Sequence, residues 1–166
     1  MKFLSKNIKQ IHIKEALEIY NYYISNSFSN FEEKKLSLKS FKSIYKKNIL
    51  NKLPFIIAID NHNLIGLAFI NKFREKSGYR FTYEHSIYIN PEFVNNGYGS
   101  IILKKLIVIC KKNKNIRNLI AVIGGSENIA SIKIHKKNGF KYIGTLTKAG
   151  YKKNRWIDSV YMQKRI

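Results

Sequence analysis

Tyr83 to Leu103, YEHSIYINPEFVNNGYGSIIL, holds an apolar strand, a proline, a glycine-rich turn and the start of a helix, and the rest of the chain is organised around it. Tyr83 to Ile89 is β-branched and aromatic and stops at Asn90-Pro91, where the proline ring removes a ladder donor and restricts the residue before it. From Ser100 the residues Ile101, Ile102, Leu106, Ile107 and Ile109 make a broad apolar stripe at helical spacing, with Lys104, Lys105, Lys111 and Lys112 at polar positions, which predicts an amphipathic helix. Between the two lies Asn95-Asn96-Gly97-Tyr98-Gly99. Two residues without Cβ let several main-chain N–H groups converge at the positive end of the helix dipole, a setting suited to a pyrophosphate.

Several folds carry such a turn. A dinucleotide-binding fold wants a third glycine three residues after the second, and Ile102 stands there, with no acidic residue near the expected distance downstream. A P-loop needs Gly-Lys followed by Ser or Thr, which is absent. A plain helix-start turn with no ligand stays open from this stretch alone, so the remainder of the chain must decide.

At 166 residues the chain is expected to form one domain over 1–166 that buries about two-thirds of its unfolded surface. With 45% hydrophobic and 13% aromatic residues it should fold by itself. No apolar run approaches the roughly 20 residues of a membrane span, and MKFLSKNIKQ at the start has no signal-peptide apolar region. The expected location is a reducing cytoplasm. The single cysteine, Cys110, reads as core on the helix after Gly99. The formal charge is +21, from 31 Lys and Arg against 10 Asp and Glu, a balance that attracts polyanions. The basic residues are mostly lysines in scattered pairs such as Lys34-Lys35, Lys46-Lys47, Lys136-Lys137 and Lys152-Lys153, whereas base readout favours arginine. Specific nucleic-acid recognition is therefore not expected; if it occurred, binding would persist in moderate salt and depend on sequence.

Working outward, Lys2 to Leu4 is a short strand. Ile11 to Asn26 is an amphipathic helix through Ile13, Leu17, Tyr20 and Ile24, and Ser37 to Leu50 is a second with Ser37 as N-cap. The intervening loop Ser27 to Glu33 is either a packed connector or a lid over a pocket. Phe55 to Asp60 and Leu64 to Phe73 are strands joined at Asn61-His62-Asn63, and with Tyr83 to Ile89 they form an antiparallel meander. Leu119 to Ile123 is a parallel strand after the central helix. Ser126-Glu127-Asn128 caps a further helix that Gly139 ends, and Phe140 to Leu146 and Trp156 to Met162 complete the sheet. The fold class is α/β with a mixed central sheet, in the order β-α-α-β-β-β-α-β-α-β-β.

This order resembles the GCN5-related N-acetyltransferases, the GNAT superfamily, and over nearly the whole chain it is most similar to the phosphinothricin acetyltransferase family. The resemblance rests on Ile19-Tyr20-Asn21, Phe31-Glu32, Tyr79-Arg80, Glu84 to Ile89, Gly97-Tyr98-Gly99-Ser100, Ala121 to Gly125, Glu127-Asn128, His135, Gly139-Phe140, Gly144, Gly150, and Arg155-Trp156 with Asp158. It implies acetyl-CoA as cofactor, its pyrophosphate held by Val94, Asn95, Asn96, Gly97, Tyr98, Gly99 and Ser100. Many superfamily members have Gln or Arg before the glycines where this chain has Val94-Asn95-Asn96, which leaves the grip to backbone donors and nearby lysines. It also implies an α-amine substrate of the phosphinothricin or methionine sulfoximine type, and a homodimer.

Amine acetylation needs a neutral nucleophile, while free amines, with pKa values of about 8 to 10, are mostly protonated at neutral pH. Glu84 is the candidate base, being one of few acids and lying within an apolar strand; the alternative is a strand carboxylate paired with a lysine. Alternation places Glu84, Ser86 and Tyr88 on one face and His85, Ile87 and Ile89 on the other. The backbone of Ile87, Tyr88 and Ile89 can pair with the pantetheine arm and donate to the thioester oxygen, unless a bulge intervenes. Asn128 and His135 share a helix face and can point together; the resemblance implies that Asn128 is a cofactor contact and His135 a proton donor to the leaving thiolate or a cofactor contact, the alternative for His135 being a helix-surface histidine. His12, His62 and His85 share no spacing with His135 or with one another, so no metal site is expected. Arg74 is the candidate for the substrate's anionic groups, with Phe31, Tyr79 and Tyr151 as walls, the alternative being a solvated loop charge and edge aromatics. No Cys or Ser with a paired base is evident, so transfer is expected to be direct. The competing activities are acetylation of a protein or polyamine amine.

Overall fold

The computed structural model describes residues 1–166. Its elements are β1 (Lys2–Leu4), α1 (Gln10–Asn26), α2 (Leu38–Leu50), β2 (Phe55–Asp60), β3 (Asn63–Lys72), β4 (Thr82–Ile89), α3 (Tyr98–Lys111), β5 (Asn118–Gly124), α4 (Ile129–Lys137), β6 (Lys141–Lys152) and β7 (Arg155–Arg165), with short 3-10 turns at Ser77–Tyr79 and Pro91–Phe93. The order is the expected one. One sheet of seven strands runs β1-β2-β3-β4-β5-β7-β6, all antiparallel except the β4–β5 pair.

Local chemistry sets the boundaries. Asn61 and His62 both have positive φ (45° and 66°), the conformation that the right-handed twist of a two-residue hairpin requires. The Ser37 side chain accepts from the Ser40 N–H at the start of α2, and Gly139, at φ +82°, ends the turn after α4 while the Phe140 N–H reaches back to the His135 carbonyl. The central helix starts two residues earlier than its apolar stripe suggested, because Gly97 itself is the N-cap.

Two cores flank the sheet. Phe41, Phe55, Leu67 and Phe69 join the buried face of α1 on one side, and Ile102, Leu103 and Leu106 of α3 join Ala68, Ile70 and Leu119 on the other. The middle of β3, Leu64 to Ile70, is buried throughout, as a strand covered on both faces must be. The β6–β7 hairpin differs from its expected extent. β6 continues past Leu146 to Lys152 through register shifts between Tyr142 and Gly144 and between Leu146 and Gly150. The second irregularity puts Lys148 at φ +51°, where its N–H donates to Asp158 at 2.9 Å. An irregular strand of this kind breaks the alternation by which strands are recognised.

The feature that positions the site is where β4 and β5 part. Their parallel pairing covers only Thr82–Asn118, Tyr83–Leu119 and Glu84–Ile120, while β4 stays paired with β3 to Ile89 in one unbroken register. Beyond Glu84 one edge of β4 is therefore left without a strand.

Candidate active site

A cleft of about 880 Å³ opens at this parting, within the size range of small-molecule sites. It is lined by Glu84 to Ile89 of β4, by Val94, Asn95, Gly97, Tyr98, Gly99 and Ser100, by Asn128, Lys133, His135 and Lys137, and by Ser29 to Glu32 of the loop after α1. Most residues singled out from the sequence thus meet in one place. Asn96 lies in the same turn but outside the lining.

The unbroken register of β4 excludes a bulge and preserves the expected alternation. Tyr88 packs against Tyr20 with ring centroids 5.0 Å apart, whereas Ile87 and Ile89 pack against the α3 core. Parity also sorts the main-chain groups. The Phe73 N–H bonds the Thr82 carbonyl and the Asn90 N–H bonds the Ile65 carbonyl, so the even-numbered residues of β4 pair into β3 and the odd-numbered ones turn their amides the other way. Tyr88 therefore spends its backbone on the sheet, which narrows the predicted set to Ile87 and Ile89. The Ile89 carbonyl accepts from the Tyr23 hydroxyl at 2.7 Å, leaving the two N–H groups and the Ile87 carbonyl facing the cleft.

At the head of α3, Asn95 and Gly97 both have positive φ (66° and 77°), and a Cβ built on Gly97 would meet nothing within 4 Å. None of the N–H groups from Asn95 to Gly99 donates a hydrogen bond within the protein. Unspent donors at a helix N-terminus form an anion site, and Lys133 and Lys137 of α4 bring positive charge to the cleft wall. Those lysines were not singled out from the sequence, although their spacing of four along α4 puts them on one helix face.

Glu84 faces the side of the cleft nearer α1. It takes part in none of the ion pairs, which join Met1 to Asp60 and Lys72 to Glu75, despite the abundance of lysine. Burial pushes its carboxyl above the usual range, and the Arg74 guanidinium draws it back only in part. Around it, Tyr20 is pushed up by burial first, with Asn30, Glu32, Tyr88 and Glu84 itself close enough to act on it. Phe31 lines the cleft. The other three residues proposed for the substrate do not: Arg74 lies over the Phe73 ring at 4.5 Å, Tyr79 packs edge-on to Phe73 at 5.8 Å, and Tyr151 packs edge-on to Trp156 at 5.0 Å on the hairpin.

His135 meets a partner that sequence spacing did not reveal. Its Nε2 lies 2.8 Å from Nε2 of His85, and its Nδ1 lies 2.7 Å from the Ser131 carbonyl. The two histidines expected to be unrelated are thus a buried pair, 5% and 3% exposed, because β4 alternation aims His85 at the face where α4 lands. A carbonyl can only accept, so His135 carries its proton on Nδ1, and His85 donates from Nε2 to it. With both nitrogens of His135 engaged, a direct proton donor role is disfavoured and a positioning role is favoured. The Asn128 side chain is occupied as well, accepting from the Ser131 N–H at 3.2 Å and donating to the Ser29 hydroxyl at 3.2 Å.

The histidine pair has a measurable consequence. Burial first, and then His135, pushes His85 down to about 3, and burial also lowers His135. The folded state thus holds fewer protons than the unfolded chain below the ordinary histidine range, so stability is full above about pH 6.5 and falls as the pH drops toward 3. Thermal melts at about pH 7 and about pH 4.5 should show that His85→Gln, which keeps a donor for His135 without titrating, loses less stability on acidification than the wild type, by on the order of 2 kcal/mol. Parallel losses would remove His85 as the cause.

Comparison with known proteins agrees with this geometry. Residues 6–161 match the family described as the acetyltransferase (GNAT) domain, and the chain belongs to that family. It has the GNAT fold, and it is an acetyl-CoA-dependent N-acetyltransferase. It is 36% identical to a phosphinothricin N-acetyltransferase of Alcaligenes faecalis over 146 residues, covering 88% of this chain and 74% of the relative. It is 29% identical to an L-methionine sulfoximine/L-methionine sulfone acetyltransferase of Salmonella typhimurium, covering 88% and 84%. Among solved structures it is similar to a ribosomal-protein-alanine N-acetyltransferase from Brucella melitensis (TM-score 0.94, 27% identity, covering all of both chains). It is likewise similar to a GNAT superfamily phosphinothricin acetyltransferase from Sinorhizobium meliloti in complex with acetyl-CoA (TM-score 0.91, 30% identity, covering 100% and 89%). The free amides from Asn95 to Gly99, the open space at Gly97 and the strandless edge of β4 fit acetyl-CoA.

Proposed function

We propose that this chain acetylates the α-amine of a small amino acid analogue of the phosphinothricin or methionine sulfoximine type, by direct transfer with Glu84 as base. The observation that carries this is an unpaired carboxylate with a raised pKa at the point where β4 and β5 part. When bound, acetyl-CoA would supply the acetyl group: the amine nitrogen bonds the thioester carbonyl carbon, the C–S bond breaks with its electron pair on sulfur, and CoA leaves as the thiolate, which solvent protonates to the thiol while Glu84 returns the amine proton to solvent. Glu84 takes the proton of the amine, directly or through water. The N–H groups of Ile87 and Ile89 hold the acyl end, and those of Asn95 to Gly99, with Lys133 and Lys137, hold the phosphates. Cys110 supports direct transfer, since it is fully buried and its thiol is pushed up to about 12. Arg74, near enough to act on Glu84, is the candidate for the substrate's anionic groups, and Phe31 is a wall of the acceptor pocket. Acetylation removes the free amine of such an analogue, so a resistance role in the cytoplasm follows.

Release of the CoA thiol with phosphinothricin, methionine sulfoximine and methionine sulfone tests the substrate class. A second activity, on a protein N-terminus, is favoured by the likeness to the alanine acetyltransferase, so an alanine-starting peptide and a polyamine belong in the same panel. Turnover confined to the peptide or polyamine would replace the proposal.

A homodimer is part of the same proposal. β6 is an edge strand, and Tyr142, Ile143, Leu146, Tyr151 and Trp156 of the hairpin are all more than half exposed, an apolar surface that a monomer rarely leaves open. Light scattering should give twice the 19.5 kDa of one chain, and Ile143→Glu should shift it to the monomer. A wild-type monomer at working concentration would contradict this.

A further inference from the structure

One buried cation has no part in the chemistry so far. Lys152, the last residue of β6, is only 2% exposed, and its ammonium meets main-chain carbonyls rather than a carboxylate. Nζ donates to the Ser27 carbonyl at 3.0 Å and to the Asn30 carbonyl. Burying an ammonium is unfavourable unless its donors are satisfied, so what it satisfies indicates its task. Ser27 directly follows α1, whose last turn contains no basic residue of its own. Lys152 therefore meets the negative end of that helix, and Lys153 joins it by donating to the Ser25 carbonyl. Asn30 belongs to the stretch Ser29 to Glu32 that lines the cleft.

Packing repeats the message of the charges. A Cβ on Gly150 would lie 2.2 Å from Cε1 of the Phe31 ring, and a Cβ on Gly124 would lie 1.9 Å from the Phe28 carbonyl oxygen. Ring and backbone of the loop are thus seated where only hydrogen leaves room. The Arg155 guanidinium covers the Phe28 ring at 5.1 Å, and Asn128 holds Ser29 from the opposite side. The contacts come mainly from the turn of the β6–β7 hairpin, Gly150 to Arg155, and none involves the Asn95–Gly99 turn.

We infer that this hairpin turn is a latch holding the α1–α2 loop over the acceptor side of the cleft, with Lys152 as the positioning residue that sets acceptor affinity. The inference rests on the proposal that this side binds the amine. Loss of Lys152 frees the carbonyls of Ser27 and Asn30, the loop loosens, and Phe31 and Glu32 no longer stand at fixed places against the substrate. The cofactor side is untouched.

Lys152→Met and, as a second variant, Gly150→Ala, whose Cβ displaces the Phe31 ring, test this with three readouts: trypsin cleavage at Lys34-Lys35 in the loop, acceptor KM against kcat, and calorimetric Kd for acetyl-CoA. Cleavage should quicken and acceptor KM should rise by at least about 10-fold each, a lower bound for losing the two charge-assisted hydrogen bonds of Lys152, while Kd for acetyl-CoA stays within about twofold of the wild type. Cleavage at the wild-type rate in a folded variant overturns the latch, as does an unchanged acceptor KM or a rise in cofactor Kd that matches the rise in KM. Should the wild type acetylate none of the acceptors, the amine-pocket proposal fails, and the cleavage comparison still decides the latch.

Discussion

Glu84→Gln is expected to lower kcat by about 100-fold or more, the usual contribution of a positioned general base, with the Kd for acetyl-CoA nearly unchanged. The amide keeps the size of the side chain and removes only its capacity to accept a proton. Because burial raises the Glu84 pKa, wild-type kcat/KM should fall on the acid side at a pH above the ordinary carboxylate range. That limb should vanish in the variant. Stability should move the opposite way. A carboxyl whose pKa is raised by folding contributes its stabilisation at low pH and loses it as the pH rises through the folded value. Gln at this position should therefore melt no lower than the wild type near neutral pH. A slow but stable enzyme would be the signature of a base held in an unfavourable ionisation state for chemistry. Wild-type turnover between about pH 6 and 9 in the variant would remove Glu84 from that role.

Gly97→Val is expected to raise the Kd for acetyl-CoA by about 10-fold or more. Two effects act together. A β-branched residue at φ +77° is strained by roughly 1 to 2 kcal/mol, which pulls the head of α3 out of shape. Its side chain would also stand in the open space that lies beside the free amides, where phosphates must approach. Gly97→Ala should show the strain with less of the obstruction. Circular dichroism and melting separate either effect from unfolding, and an unchanged Kd in folded Gly97→Val would make the turn structural only.

Much of this site was legible in the sequence because its parts are local. Strand alternation placed Glu84 and Ile87 on opposite faces, and the unbroken β3–β4 register preserves that. Gly97, the proline stop and the caps at Ser37 and Asn128 are likewise short-range chemistry, and they stand where expected. What escaped depends on which distant elements meet. His85 and His135 are 50 residues apart, and no spacing along the chain records that α4 packs on β4. Lys152 looked like one of many solvated lysines, and only the folding of the α1–α2 loop onto the hairpin turns it into a buried clamp. The irregularity at Lys148 hid the true length of β6. Tyr79 and Tyr151, expected as walls of the substrate pocket, both pack on neighbours outside the cleft.

Acetyl transfer in this protein turns on how the cofactor lies along the free edge of β4. A crystal structure with acetyl-CoA bound measures this directly. The thioester oxygen should lie about 3 Å from the N–H of Ile87 or Ile89, with the pyrophosphate against the amides of Asn95 to Gly99 and the acetyl group open toward Glu84. An acetyl end turned away from β4, or a pyrophosphate bound away from the head of α3, would contradict it.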